Sequence, residues 1–185
     1  MQGDLLKARD LKPLSDAQLL VLGARFALRV APWCPLGGEK AWDKGMADLI
    51  AACGGAALPG TLVRKHVQVI SKHGALGCYS SAPEPMWRSR SQAGWALSYA
   101  LQATQLSARK DRWKEVVKAG KHAASVFAVQ AHAGRLTLAD ALSFPWAAAR
   151  ADVPLILGSV VPATLVDLEA IGPLWPGGEP EWATP

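Results

Sequence analysis

Two histidines and a cysteine crowd one stretch of the chain, His66, His73 and Cys78, and His122 and His132 follow later. Imidazole nitrogen and thiolate sulfur are the ligand set of a zinc site, which holds each ligand at about 2 Å from one ion. Residues seven apart on a helix stand roughly 10 Å apart along its axis. His66 and His73 therefore do not readily share one ion, and neither HExxH nor CxxC accompanies them. The sequence predicts no metal site and no cofactor, with the histidines half-buried or at the surface.

A nucleophile is the next chemistry to look for. Cys34 or Cys78 with a distant histidine is two thirds of a catalytic arrangement, but a lone cysteine and a lone histidine carry almost no information. No GxSxG is present. Asp16, Glu115 and Asp140 fall on different elements, and Asp43 and Asp48, on one helix, do not share a face, so no carboxylate pair for acid–base work is expected. Gly54-Gly55 has no GxxxxGK(S/T) context and no strand before it, and reads as a helix stop rather than a phosphate loop. No catalytic residue is assigned.

Positive charge is more concentrated. Arg88, Arg90, Arg109, Lys110, Arg112, Lys114, Lys118 and Lys121 crowd two neighbouring stretches. Trp87 beside Arg88 and Arg90 offers a ring on which a base stacks. The net charge is +5 with a pI near 9.3, modestly basic and short of demanding nucleic acid. Only 19% of residues are charged and eight are tryptophan, which points to apolar surface covered by a partner. The expected function is non-catalytic protein binding, as an adaptor, a complex subunit or an immunity-type inhibitor, with an acidic protein as partner. The expected contact residues are Trp87, Arg88, Arg90, Lys110, Lys114, Lys118, Lys121 and Trp175. The alternative is nucleic-acid binding through a basic helix over 109–122, and the third reading is a small-molecule enzyme without a recognised motif. A homo-oligomer is left open. Three cysteines that cannot all pair, no apolar leader at the start and no run of about 20 apolar residues predict a cytoplasmic protein, not one of the membrane; the richness in Ala, Gly, Pro, Arg and Trp fits a bacterium.

The elements behind these residues read as all-α. The expectation is one domain, a bundle of about six helices over 1–152, with an irregular Pro/Trp-rich extension over 153–185 docked on it. Ser15-Asp16-Ala17-Gln18 is a capping box with Leu14 and Leu19 as its staple, opening a helix that Pro32 ends. Arg25 and Arg29 sit on a side of it away from the apolar stripe. A second helix runs from about Glu39 to Cys53, with Trp42, Met46, Leu49 and Ile50 on its core face. A third runs from Thr61 to His73 with Gly74 as its stop, and 74–87 reads as a long irregular connection. Ser91 to Ala108 is nearly free of charge, as a central buried helix should be.

The spacing then predicts a long helix from an N-cap at Asp111 to Ala133, stopped by Gly134. Trp113, Val116, Val117, Ala123, Ala124, Phe127 and Ala131 make its apolar face, and Gly120 permits close packing or a bend. Thr137 caps a further helix that kinks or restarts at Pro145. Val153 onward reads as extended, with a short helix over Thr164–Ile171. Trp175 and Trp182 are expected to dock the tail on the domain or on a partner.

Overall fold

The structure, a computed structural model, describes residues 6, 8–34, 38–79, 85–132, 134, 136–159 and 171–183, without the side chains of residues 8, 74–79, 85–87, 129, 130, 132 and 142. Its helices are α1 (Ala8–Leu11), α2 (Asp16–Arg29), α3 (Glu39–Cys53), α4 (Gly60–Tyr79), α5 (Pro85–Ala103), α6 (Arg109–His132) and α7 (Leu138–Gly158), with 3₁₀ turns at Ala31–Trp33 and Glu181–Ala183. Six of the helices are long, and no strand occurs among the described residues, so the all-α bundle of about six helices stands. No helix among the described residues is long and apolar enough to cross a membrane.

α2 begins where the sequence places it. Ser15 Oγ accepts from the Gln18 backbone N–H at 3.2 Å, and Gln18 Oε1 accepts from the Ser15 N–H at 2.8 Å. Leu14 and Leu19 are both buried, as a hydrophobic staple requires. Every residue from Gln18 to Ala27 is buried, because α2 packs against α3, α5, α6 and α7 together. It shares the centre of the bundle with α5, whose Ala93, Ala96, Leu97, Ala100 and Leu101 are sealed from solvent. α5 and α6 are antiparallel: Ser89 meets Val126, Gln92 meets His122, and Tyr99 meets Lys118.

Several boundaries differ from the sequence expectation. α4 runs through Gly74 to Tyr79, and α5 starts at Pro85, so 74–79 and 85–87 are helical rather than irregular; 80–84 lie outside the described residues. A glycine inside a helix costs only about 1 kcal/mol, which does not stop it. Proline suits the first helical position, where its missing N–H has no partner to lose. α6 begins at Arg109, so Asp111 lies inside its first turn and is not the N-cap. Its end agrees with the sequence: Gly134 has φ +77°, and its N–H reaches the Ala131 carbonyl at 3.0 Å.

α7 neither restarts at Pro145 nor becomes extended at Val153; it continues through Pro145 and Pro154 to Gly158. Ala141, Trp146, Ala148, Ala149, Asp152 and Ile156 all bury on one side. That continuous packing outweighs the ~3 kcal/mol an interior proline costs. The expected helix over Thr164–Ile171 lies outside the described residues except for Ile171. At the crossing of α2, α6 and α7, a Cβ on Gly120 would stand 2.7 Å from both Phe26 Cζ and Trp146 Cη2. The glycine there permits close approach.

Candidate functional site

The most heavily built constellation lies where α2, α7 and the tail meet, and the sequence reading missed it. α2 is apolar nearly all round, so Arg25 and Arg29 have no solvent side to occupy and turn inward. Both are about 1% exposed. Asp152 sits between them, with Oδ1 2.8 Å from Arg25 Nη2 and Oδ2 2.7 Å from Arg29 Nη2. The pair also reads the tail backbone, although Arg25 Nε and Arg29 Nη1 are buried without a hydrogen-bond partner. Arg25 Nη1 and Nη2 donate to the carbonyls of Gly172 and Pro173 at 3.2 and 2.8 Å. Arg29 Nε donates to the Leu174 carbonyl at 2.9 Å. Burial pushes the Arg29 guanidinium below its ordinary range, opposed by the Asp152 carboxylate. Arginine holds its proton in proteins, so the pair stays cationic and the arrangement fastens rather than reacts. The signal available in the sequence was an i,i+4 arginine pair inside an otherwise apolar helix, since buried charge needs a partner.

The tail is docked in cis. Trp175 is 5% exposed and packs edge-on to Phe127 and Trp182 at 5.6 and 5.7 Å, with Arg29 over its ring at 5.7 Å. Trp33 Nε1 donates to the Ala183 carbonyl at 2.6 Å. Trp175, expected on the contact surface, is thus spent inside the protein's own core.

The histidines are dispersed. His66 Nε2 lies 2.5 Å from Asp48 Oδ2 and ties α4 to α3. His122 lies in the α5–α6 seam, stacked on Tyr99 at 5.1 Å and beside Trp95 at 6.2 Å, with Nδ1 2.7 Å from Gln92 Oε1. Burial and then the neighbouring Lys118 charge push its pKa down. Among the described residues no three of His, Cys, Asp and Glu gather as a metal site would need. Burial raises the thiols of both described free cysteines, Cys34 and Cys53, the latter to about 12. A thiol held protonated is a poor nucleophile.

The predicted basic contact residues do not form one patch. Lys110, Lys114, Lys118 and Lys121 are exposed along α6. Lys114 Nζ donates to Asp111 at 2.9 Å, holding that carboxylate below its ordinary range, and Lys118 Nζ donates to Glu115 at 2.7 Å. Lys118 also lies over the Tyr99 ring at 5.2 Å. Arg109 and Arg112 pair with Asp16 and serve the seam with α2. Arg88 is exposed, whereas Arg90 Nη1 donates to the Cys34 carbonyl at 2.7 Å. The antiparallel packing places Arg88 near Val126, roughly 24 Å along the helix from Lys110. Trp87 lies on α5, its side chain outside the described residues.

The surface feature that the sequence reading missed is on α7. Among the described residues the exposed large apolar side chains are Leu138, Phe144, Leu155 and Leu157, all on this helix. The signal was there in its low charge, but the expected break at Pro145 and extended run from Val153 divided the face. Comparison with family models, with curated proteins and with solved structures finds no match to this chain.

Proposed function

We propose that this chain is a non-catalytic protein-binding module that meets its partner through the outward face of α7, with the lysines of α6 favouring an acidic partner. One observation carries the reading: the four exposed large apolar side chains of the described residues, 41–47% exposed, sit on a single helix. Advancing about 100° per residue places Phe144, Ala147, Pro154, Leu155 and Gly158 in one stripe roughly 100° wide, and all five are exposed. Of the four, Phe144 and Leu155 lie in this stripe, while Leu138 and Leu157 stand roughly 110° or more from its centre; apolar side chains grouped on one face, unlike ones exposed singly, mark a contact surface. Adaptors, complex subunits and immunity-type inhibitors share this requirement. Nucleic-acid binding is the second reading, favoured by four exposed lysines along one side of α6.

Affinity capture from the native host, with nuclease and at low and high salt, tests both. The wild-type chain is expected to retain one stoichiometric protein. An Ala147→Asp/Leu155→Asp double variant is expected to lose it while keeping the wild-type circular dichroism. A partner retained by the double variant removes α7 from the proposal. Nucleic acid recovered only at low salt replaces the proposal by the second reading.

A further inference from the structure

The positive charge of the chain is segregated. Helices α4, α5 and α6 hold 11 of its 20 lysines and arginines but only 2 of its 15 acidic residues, so they carry +9 and the remainder −4. Three of the 11 are used within the fold, Arg90 on the Cys34 carbonyl and Arg109 and Arg112 on Asp16. The other eight are exposed: Arg64, Lys65 and Lys72 on α4, Arg88 on α5, and the four lysines of α6. The two acids, Asp111 and Glu115, are both taken up by lysines of α6 itself.

The packing turns these charges to one side. α5 lies between α4 and α6. Arg64 and Gln68 of α4 line one cleft with Gln102 of α5 and Glu115 of α6, so the three helices meet solvent on a common surface. Further along it, Lys118 lies over the Tyr99 ring at 5.2 Å. At about 100° per residue Arg88 shares the Trp95–Tyr99 line of α5, and the four α6 lysines fall within roughly 80° of one another. Lys65 and Lys72 stand roughly 80–100° round α4 from Arg64, at the outer edge. From Lys110 to Arg88 the surface runs roughly 24 Å. Its cations are spread along that length and do not converge, so it offers a small anion no seat.

We propose that this α4–α5–α6 face binds the phosphate backbone of a nucleic acid. Six of the eight exposed cations are lysines. Lysine is depleted from protein–protein interfaces, where arginine is favoured, but it serves phosphate well as a point charge. Charges of one sign spread over about 24 Å suit a polymer that repeats its own charge roughly every 1.7 Å along a duplex, or 3.4 Å along one strand. Contacts to phosphate carry no sequence information, so the binding is indifferent to base sequence. The inference rests on the second reading above and is independent of the α7 face.

Fluorescence anisotropy of the full chain with labelled single-stranded RNA and duplex DNA of mixed sequence tests it, with poly-L-glutamate as a competing acidic polypeptide. At least one nucleic acid is expected to bind with a Kd of about 1–100 µM at physiological salt and a log–log salt slope of about −3 to −5. Arg64→Gln/Lys72→Gln on α4 and Lys110→Gln/Lys121→Gln on α6 should each weaken binding about tenfold and make the slope shallower by roughly 2. Lys40→Gln/Lys44→Gln, which removes two exposed charges from α3, should match wild type. All six positions are exposed, so the three variants should keep the wild-type circular dichroism. No binding of either nucleic acid by about 100 µM protein at about 50 mM salt overturns the proposal and the second reading together. Loss confined to one of the first two variants overturns the three-helix face; confined to the α6 variant, it leaves the second reading standing. An equal loss in the α3 variant overturns the proposal by reducing the effect to net charge. Displacement by poly-L-glutamate as effective as by unlabelled RNA, at equal concentration of charge, overturns the choice of nucleic acid.

Discussion

His122 illustrates what a single side chain contributes in this protein. Its ring closes the seam between α5 and α6, sandwiched with Tyr99 and Trp95, hydrogen-bonded to Gln92 and facing the Lys118 ammonium. Burial and that charge both favour the neutral ring, so its pKa falls below the ordinary 6.5. As pH drops below 6.5 the unfolded chain takes up a proton that the folded chain declines, and stability falls through that window. Urea unfolding between about pH 7.5 and about pH 5.5 is expected to show this loss, and a His122→Gln variant a shallower one. An identical pH slope in the variant would show that His122 titrates in the fold as it does in the unfolded chain.

At the scale of the element, Gly120 is the point on which three helices depend. A methyl group there meets Phe26 and Trp146, both buried and neither free to move aside. Gly120→Ala gains about 1 kcal/mol of helix propensity and loses more to overpacking, for a net destabilisation of about 1–2 kcal/mol. Thermal unfolding reads the sign directly, and a stabilised variant would sink the close-approach account.

The elements also show what the sequence could disclose. α3 is legible to the residue, because the glycines at 38 and 54–55 bracket a clean apolar period. α2 is legible at its start because its capping box is a local hydrogen-bond pattern complete within four residues. Gly74, Pro145 and Pro154 mislead for the opposite reason: each is a local signal overruled by packing, which no local pattern records. The pairing of Arg25 and Arg29 with Asp152 joins positions more than a hundred residues apart. Burial of α2 implies that partners exist, but only the folded chain says which they are. The α6 lysines lie on one exposed side, as their spacing predicts, while Trp175 docks on Phe127, a contact that nothing in its sequence neighbourhood reveals.

For the molecule as a whole, Asp152 is the pin. It bridges two buried guanidinium groups, offsetting one of their two charges, and holds α2, α7 and the tail in one arrangement. Asp152→Asn leaves both arginines buried without a counter-charge, and removing one member of such a group costs about 3–5 kcal/mol. Chemical denaturation should report that loss, and the native emission summed over the eight tryptophans should move to the red as Trp175 gains water. A variant within about 1 kcal/mol of wild type would show that the backbone carbonyls alone suffice to hold the arginines.

The manner in which the tail is held has a consequence for competition. Arg25 and Arg29 grip main-chain oxygens, so the tail is in effect a peptide ligand joined to its own receptor. A ligand joined in this way acts at an effective concentration of roughly millimolar or above. A free peptide of the sequence 171–183, offered at micromolar levels, therefore gains no foothold against it. Were the chain severed between Ser159 and Ile171, the same contacts would become an ordinary two-body equilibrium, and the stability of the protein would begin to depend on dilution.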